Sequence, residues 1–143
     1  MAWKDFEYSY IHTRNDLGYR PYVMVDVEIN KKHIILFAII DSGAHDTVIN
    51  IGLAESFGLN VKKLKQHTIG GVGGTLNPGY ATTGTLCFPD MDHICIESPL
   101  IFTEFPADML LGQNNFFRNF NILFEGRAGK FRLNKVRNYK DER

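Results

Sequence analysis

The sequence has no excess of charge, only two cysteines and no long apolar run. Its 16 basic and 16 acidic side chains cancel to a formal net charge of zero, which indicates neither nucleic-acid binding nor attraction to an anionic membrane surface. The longest apolar run, residues 34–40, is far too short to cross a bilayer, and no secretory leader opens the chain. These shortages predict a cytoplasmic protein without a membrane or nucleic-acid partner.

The two cysteines, Cys87 and Cys95, are too few to define a disulfide framework. We expect both to be reduced thiols. Together with Asp90, Asp92 and His93 they could be assembled into a metal site, but their spacing fits none of the strong zinc patterns. A polar loop between two strands explains the group better, so neither a metal ion nor another cofactor is predicted.

The apolar residues occur in short alternating or continuous blocks separated by turn signals, which is typical of an all-β fold. With 143 residues, 44% of them hydrophobic, we predict one domain over residues 1–143, with a core at about 22–136 and a frayed tail at 138–143. Its architecture should be a small closed barrel with a glycine-rich hairpin and one or two short helices. Strands are predicted at 6–10, 22–29, 33–40, 47–50, 66–69, 80–87, 94–96, 100–103, 108–111, 121–124 and 130–133, and helical turns at 51–57 and 114–118. The nearly unbroken apolar run at 33–40 predicts a strand buried on both faces.

Asp41 lies where the longest apolar run stops, and Ser42 and Gly43 follow it. This order places a carboxylate at the edge of the core, with a hydroxyl beside it and room for a second backbone at the glycine. The same tripeptide is also a common turn. A single aspartate is a poor catalyst of amide hydrolysis. Two facing aspartates that share a proton are far better, because one activates a water while the other donates to the carbonyl.

Residues 37–48, FAIIDSGAHDTV, resemble the active-site segment of retropepsins, the retroviral and retroviral-like aspartic proteases. In that family a second apolar segment ending in glycine comes later in the chain, and here residues 110–114, LLGQN, match it. Between the two segments the family carries a glycine-rich hairpin, the flap, and residues 69–80 lie in the corresponding place. The resemblance covers roughly residues 22–136.

The resemblance implies a role for each matching position. Asp41 would be the catalytic aspartate, and the hydroxyl of Ser42 would brace two active-site loops across a dimer axis. Gly43 and Gly112 would support the active-site loop. The residues expected in the flap or against the substrate are Gly70, Gly71, Val72, Gly73, Gly74, Ala44 and Asp46.

Two departures from the viral pattern occur together. Many viral members carry an acidic residue where this chain has His45, and an arginine that pairs with it where this chain has Gln113. Both partners are replaced, so neither change leaves an unpaired buried charge. This pattern indicates a divergent, cellular member of the family. His45 is either a solvent-facing histidine or a cleft residue that titrates near neutral pH.

Because Asp-Ser-Gly occurs once and 143 residues cannot hold two protease lobes, the second carboxylate must come from another copy across a two-fold axis. The expected function is therefore that of a homodimeric aspartic endopeptidase acting on peptide or protein substrates. The competing hypothesis is a non-catalytic peptide-binding or dimerisation module on the same fold. The N-terminal aromatic strand and the strand 130–133 are candidates for the dimer interface.

Overall fold

A computed structural model of the chain describes residues 2–10, 19–70 and 76–137. Short strands dominate these ranges, as the apolar pattern predicts, and the predicted frayed tail at 138–143 lies outside them. Single turns of 3-10 helix occupy Ile51–Leu53, Glu55–Phe57, Val61–Lys63 and Gly126–Ala128. The strands and the one α-helical turn in the described ranges are β1 (Lys4–Glu7), β2 (Ser9–Tyr10), β3 (Tyr19–Arg20), β4 (Tyr22–Ile29), β5 (Lys32–Ile40), β6 (Val48–Asn50), β7 (Lys65–Gly70), β8 (Leu76–Phe88), β9 (Ile94–Thr103), β10 (Met109–Leu111), α1 (Phe116–Asn119), β11 (Phe120–Glu125) and β12 (Lys130–Lys135).

Six strands close into a barrel in the order β4-β5-β10-β6-β9-β8, because β8 pairs back with β4. The closure leaves the barrel without a free edge at this point. Val23, Val25 and Val27 alternate along β4 and are all buried in the main apolar core. The all-β barrel predicted from the sequence is confirmed, and β7 extends it as the outer arm of a hairpin with β8.

Closure of the barrel depends on a close approach of β8 to β4 at Gly84. A Cβ atom there would lie 2.7 Å from the carbonyl oxygen of Glu28 and 2.8 Å from a methyl carbon of Leu100. Only glycine lets the two strands meet at this distance. The long strand β8 can therefore pair with β9 along its whole second half while it also touches β4.

Two strand predictions are wrong in instructive ways. The first half of β5 is not buried on both faces, since Ile35 is 57% exposed and Phe37 43% exposed; apolar residues cover its outer side only near Ile39. The predicted separate strands 94–96 and 100–103 form the single strand β9. Pro99 does not interrupt it, because β6 pairs only from Ile101 onward and leaves that side of β9 open.

The expectation that Cys87 and Cys95 are free thiols is also wrong. They lie directly opposite each other on β8 and β9 and are joined in a disulfide, with Cα atoms 4.0 Å apart. The antiparallel register brings the two side chains together. A separation of eight residues in the sequence does not by itself predict this pairing.

The two ends of the described chain form a separate three-stranded sheet in the order β1-β12-β11. Phe6 stacks on the buried Phe131, with ring centroids 5.0 Å apart, so the sheet is attached to the main core. The two strands predicted to face a second chain thus pair with each other. β12 has neighbours on both sides, which leaves the outer edges of β1 and β11.

In the described part of the chain, no helix is both long and apolar enough to span a membrane.

Candidate active site

Asp41 is placed by two parallel strands that end side by side. β5 pairs with β10, with Ile40 opposite Leu111, and the backbone N–H of Asp41 donates to the carbonyl oxygen of Leu111 at 3.0 Å. The residue that follows each strand, Asp41 or Gly112, therefore lies at the same end of the barrel. Asp41 is half-buried, as expected for a carboxylate at the edge of a core.

The Asp41 loop (residues 41–46) folds back on its own carboxylate. The backbone N–H of Gly43 donates to the Asp41 carboxylate at 2.9 Å, and that of Ala44 donates to the Asp41 carbonyl oxygen at 3.2 Å. A backbone N–H bonded to a carboxylate fixes its orientation. The Asp-Ser-Gly turn and the positioned carboxylate predicted from the sequence are thus the same structure.

Gly112 packs against the Asp41 loop so closely that no side chain fits. A Cβ atom on this residue would lie 2.3 Å from the carbonyl oxygen of Asp46 and 2.8 Å from that of Ala44. Its backbone N–H donates to the hydroxyl of Thr47 at 3.2 Å, and Thr47 is only 1% exposed. A close backbone contact of this kind is what the predicted supporting role of Gly112 requires.

The residues after Gly112 hold the loop by a ladder of hydrogen bonds. The backbone N–H groups of Gln113 and Asn114 donate to the carbonyl oxygens of Ala44 and His45, at 2.8 and 2.6 Å. The side-chain amide of Gln113 donates to the carbonyl oxygen of Ser42 at 2.8 Å. In place of an ion pair, the chain thus uses a neutral bond between the two loops. The missing ion pair is visible in the sequence, whereas the hydrogen bond that replaces it is not.

The other predicted loop residues divide by exposure. Ser42 and His45 are exposed, whereas Ala44 and Asp46 are half-buried. An exposed Ser42 beside Asp41 is compatible with the predicted contact across a dimer axis. His45 is at the surface of the single chain, and its backbone carbonyl is what contacts the second loop.

Both strands of the hairpin that is expected to form the flap are present. β7 and β8 pair from Lys65 opposite Ala81 to Gly70 opposite Leu76. Gly70 is exposed, and a Cβ atom there would meet no atom within 4 Å. The predicted tip residues Gly71, Val72, Gly73 and Gly74 lie outside the described residues.

A small apolar cluster lies beside the Asp41 loop, apart from the main core. Ile39 lies on β5, two residues before Asp41. Its partners on the neighbouring strands β4 and β10 are Tyr22 and Leu110. Such a patch at the end of the strands can receive an apolar side chain of a ligand. The cluster consists of Tyr22, Ile39 and Ala107, with Phe105 and Leu110 packed against them.

Asn50 anchors the segment that carries two of these residues. Its side-chain amide donates to the carbonyl oxygens of Phe105 and Ala107, at 2.9 and 3.1 Å. Asn50 is not among the residues predicted for the site, because a lone asparagine at the end of an apolar strand gives little signal of such a contact. Asn50 thereby fixes the segment before β10, which carries part of the apolar cluster.

A groove of 450 Å³ lies elsewhere, and no residue of the Asp41 loop contributes to it; it is lined by Glu28, Asn30, Thr83, Gly84, Thr85, Glu97, Ser98, Pro99 and Asn115. Within the described ranges, the His, Cys, Asp and Glu side chains close enough together for a metal ion are those of Cys87, His93 and Cys95, also away from Asp41.

The sequence profile described as "Retroviral aspartyl protease" matches residues 18–122. The chain belongs to this family. The match includes the Asp41 loop, both arms of the β7–β8 hairpin and the Gly112 turn. No curated protein sequence matches the chain.

Two solved structures of the family have a similar fold. EIAV protease, bound to the inhibitor HBY-793, is 21% identical, with a TM-score of 0.53 over 72% of this chain and 88% of that one. A retropepsin-like aspartic protease from Rickettsia conorii is 15% identical, with a TM-score of 0.58 over 92% of this chain and 98% of that one. At these identities the likeness confirms the retropepsin fold.

Proposed function

We propose that the protein is an aspartic endopeptidase that works as a homodimer. The observation that carries the proposal is the Asp41 carboxylate, held by the Gly43 N–H at 2.9 Å in a loop braced by Gly112, within a chain of the retroviral aspartyl protease family. A carboxylate fixed in this way suits general acid–base chemistry, which needs an oriented group.

The second carboxylate is supplied by the Asp41 of another copy. Two carboxyl groups that face each other share one proton, because two like charges at close range repel. The ionised carboxylate takes a proton from a water molecule, which attacks the peptide carbonyl, while the protonated partner donates to the carbonyl oxygen. No covalent intermediate with the protein is formed.

An extended peptide is the substrate form that suits the site. The β7–β8 hairpin acts as the flap and pairs with the peptide backbone as it closes, and it excludes bulk water. The cluster around Ile39, Leu110 and Ala107 receives an apolar side chain next to the bond that is cut. The cytoplasmic location stays a prediction from the sequence, and the disulfide argues against a strongly reducing compartment.

The outer edge of β11 is the proposed site of dimer pairing. β11 carries Leu123 and Phe124, which are 45% and 38% exposed, whereas three of the four residues of β1 are the charged Lys4, Asp5 and Glu7. Charged edge strands resist pairing and apolar ones favour it. Two copies joined at β11 would form one continuous six-stranded sheet across the two-fold axis.

The test is cleavage of a mixed peptide library by the wild type and by Asp41→Asn, from about pH 4 to about pH 7. We expect the wild type to cut and Asp41→Asn to lose the cuts, by at least about a thousandfold in kcat/KM. Sedimentation must show that both proteins are dimers. A wild type that is dimeric and cuts nothing would contradict the proposal and favour a non-catalytic peptide-binding or dimerisation module.

A further inference from the structure

We propose that the turn between β8 and β9 is a second, thiol-controlled site, which binds a divalent cation of the zinc class when its disulfide is reduced. The ligand atoms of Cys87, His93 and Cys95 all lie within 4.8 Å of one another. The proposal is independent of the protease function, because none of these residues belongs to the Asp41 loop.

The donor set selects the kind of cation. Two thiolates and one imidazole suit zinc, and three protein ligands leave the fourth tetrahedral position to water. Carboxylate-preferring ions such as Mg²⁺ or Ca²⁺ would find no suitable ligands in this set. The three ligand atoms lie within 4.8 Å of one another. A tetrahedral zinc ion with bonds of about 2.0 to 2.3 Å holds its ligand atoms about 3.3 to 3.8 Å apart, so small side-chain movements complete the site.

The disulfide controls the site because a bonded sulfur is not a thiolate. In the oxidised chain Cys87 and Cys95 are joined. A dithiol reductant transfers two electrons and two protons to the protein disulfide, which becomes two thiols, while the reductant becomes a disulfide. Binding of the cation then displaces the two thiol protons, which pass to solvent.

The turn is accessible and its backbone is held in an unusual conformation. Cys95 and His93 are exposed, so both a reductant and a cation can reach them. Asp92 and His93 have φ angles of 52° and 57°, a left-handed conformation that non-glycine residues adopt at a cost. The Ile94 N–H donates to the carbonyl oxygen of Met91 at 3.1 Å, and this turn directs His93 toward the cysteine pair.

The turn is also anchored, which limits the cost of ordering the ligands. Met91 is only 5% exposed and packs in the main core, as does the fully buried Phe88. Cys87 itself is 9% exposed. Because Met91 and Phe88 fix the turn to the core, the ligand residues are held in place before the cation binds, as metal sites require.

The experiment is a titration of the full chain with Co²⁺, followed by competition with Zn²⁺, before and after reduction with a phosphine. A phosphine carries no thiol that would compete for the ion. We expect the reduced wild type to bind one ion per chain with a thiolate-to-cobalt charge-transfer band, and the oxidised wild type to show no such band. The double variant Cys87→Ser, Cys95→Ser should lose the band after the same treatment.

His93→Ala is compared with His33→Ala under reducing conditions. His33 lies between Asp26 and Glu28, with its ring nitrogens 3.2 and 3.4 Å from their oxygens, so its variant removes an exposed histidine that is not part of the cysteine cluster. We expect His93→Ala to weaken cobalt binding by about tenfold or more and His33→Ala to leave it unchanged. Circular dichroism of each variant checks that the fold is intact.

Equal binding by the oxidised and reduced chains, or equal affinity of the two histidine variants, would overturn the proposal. Either result can be obtained whether or not the protein cleaves peptides.

Discussion

Gly112 meets the Asp41 loop at a distance that only a hydrogen atom in place of a side chain allows. Substitution by alanine would place a carbon atom 2.3 Å from the carbonyl oxygen of Asp46, and the clash involves backbone rather than a flexible side chain. We expect Gly112→Ala to lower the free energy of unfolding by about 3 kcal/mol or more, measured by urea denaturation, and to abolish peptide cleavage.

The matched control for this change is Gly70→Ala. A Cβ atom on Gly70 meets nothing within 4 Å, so the same chemical change should alter the free energy of unfolding by no more than about 1 kcal/mol. Equal destabilisation by the two variants would show that the close approach at Gly112 is not what constrains the loop.

Gln113 positions the Asp41 loop through one side-chain hydrogen bond. In Gln113→Glu, a carboxylate replaces the amide that donates to the Ser42 carbonyl oxygen at 2.8 Å, so attraction becomes repulsion. We expect the free energy of unfolding to fall by about 1 to 2 kcal/mol and kcat to fall by about tenfold, with KM little changed because the substrate is not contacted. Gln66→Glu makes the same change at an exposed residue of β7.

For Gln66→Glu we expect the free energy of unfolding to stay within about 0.5 kcal/mol of the wild-type value. A Gln113→Glu protein with the wild-type kcat would refute the positioning role, even if its stability were lower.

At the scale of whole elements, the strands that the sequence predicted well are those in which the pattern and the environment agree. The alternating valines of β4 give its bounds, Tyr22–Ile29, without error, because one face is buried along the whole strand. The glycine after β10 likewise marks the end of that strand. Local pattern sufficed where burial is uniform along the element.

The sequence failed where an element depends on its neighbours. The predicted separate strands 94–96 and 100–103 form the single strand β9, because whether Pro99 interrupts a strand depends on which side is paired. The contact of Cys87 with Cys95 depends on the register of β8 and β9, and the bond from Gln113 to Ser42 joins residues 71 positions apart. Asp41 could be singled out as a candidate because its motif is local, while the bond from Gln113 to its loop is visible only in three dimensions.

The edge of β11 gives a prediction at this same scale. In Leu123→Glu a charge replaces an apolar side chain that is 45% exposed on this strand, and pairing with a second copy would bury that charge. We expect the dissociation constant of the dimer to rise by about tenfold or more, measured by sedimentation equilibrium. Ile35→Glu is the control, because Ile35 is 57% exposed on the barrel strand β5, away from the terminal sheet.

An equal effect of Leu123→Glu and Ile35→Glu, or none from Leu123→Glu, would place the interface elsewhere. The outer edge of β1 would then be the next candidate, and removal of residues 1–10 would test it.

For the molecule as a whole, the decisive question is whether a functional site contains residues from two chains. If the Asp41 of one chain were enough for catalysis, a wild-type chain would stay active when it is paired with an inactive Asp41→Asn chain. If each site needs Asp41 from both copies, a dimer of one wild-type and one Asp41→Asn chain is inactive. Mixing the two proteins after subunit exchange therefore distinguishes the two arrangements without any knowledge of the natural substrate.

In an equimolar mixture at constant total protein, random exchange leaves about one quarter of the dimers with two wild-type chains. We expect peptide cleavage at about one quarter of the rate of the same total amount of wild type, whereas chains with independent sites would retain about one half. A mixture of wild type with Ile35→Glu, which keeps Asp41, should stay near the full rate. A mixture with Asp41→Asn that settles at one half would refute the shared site and leave each chain with its own single carboxylate.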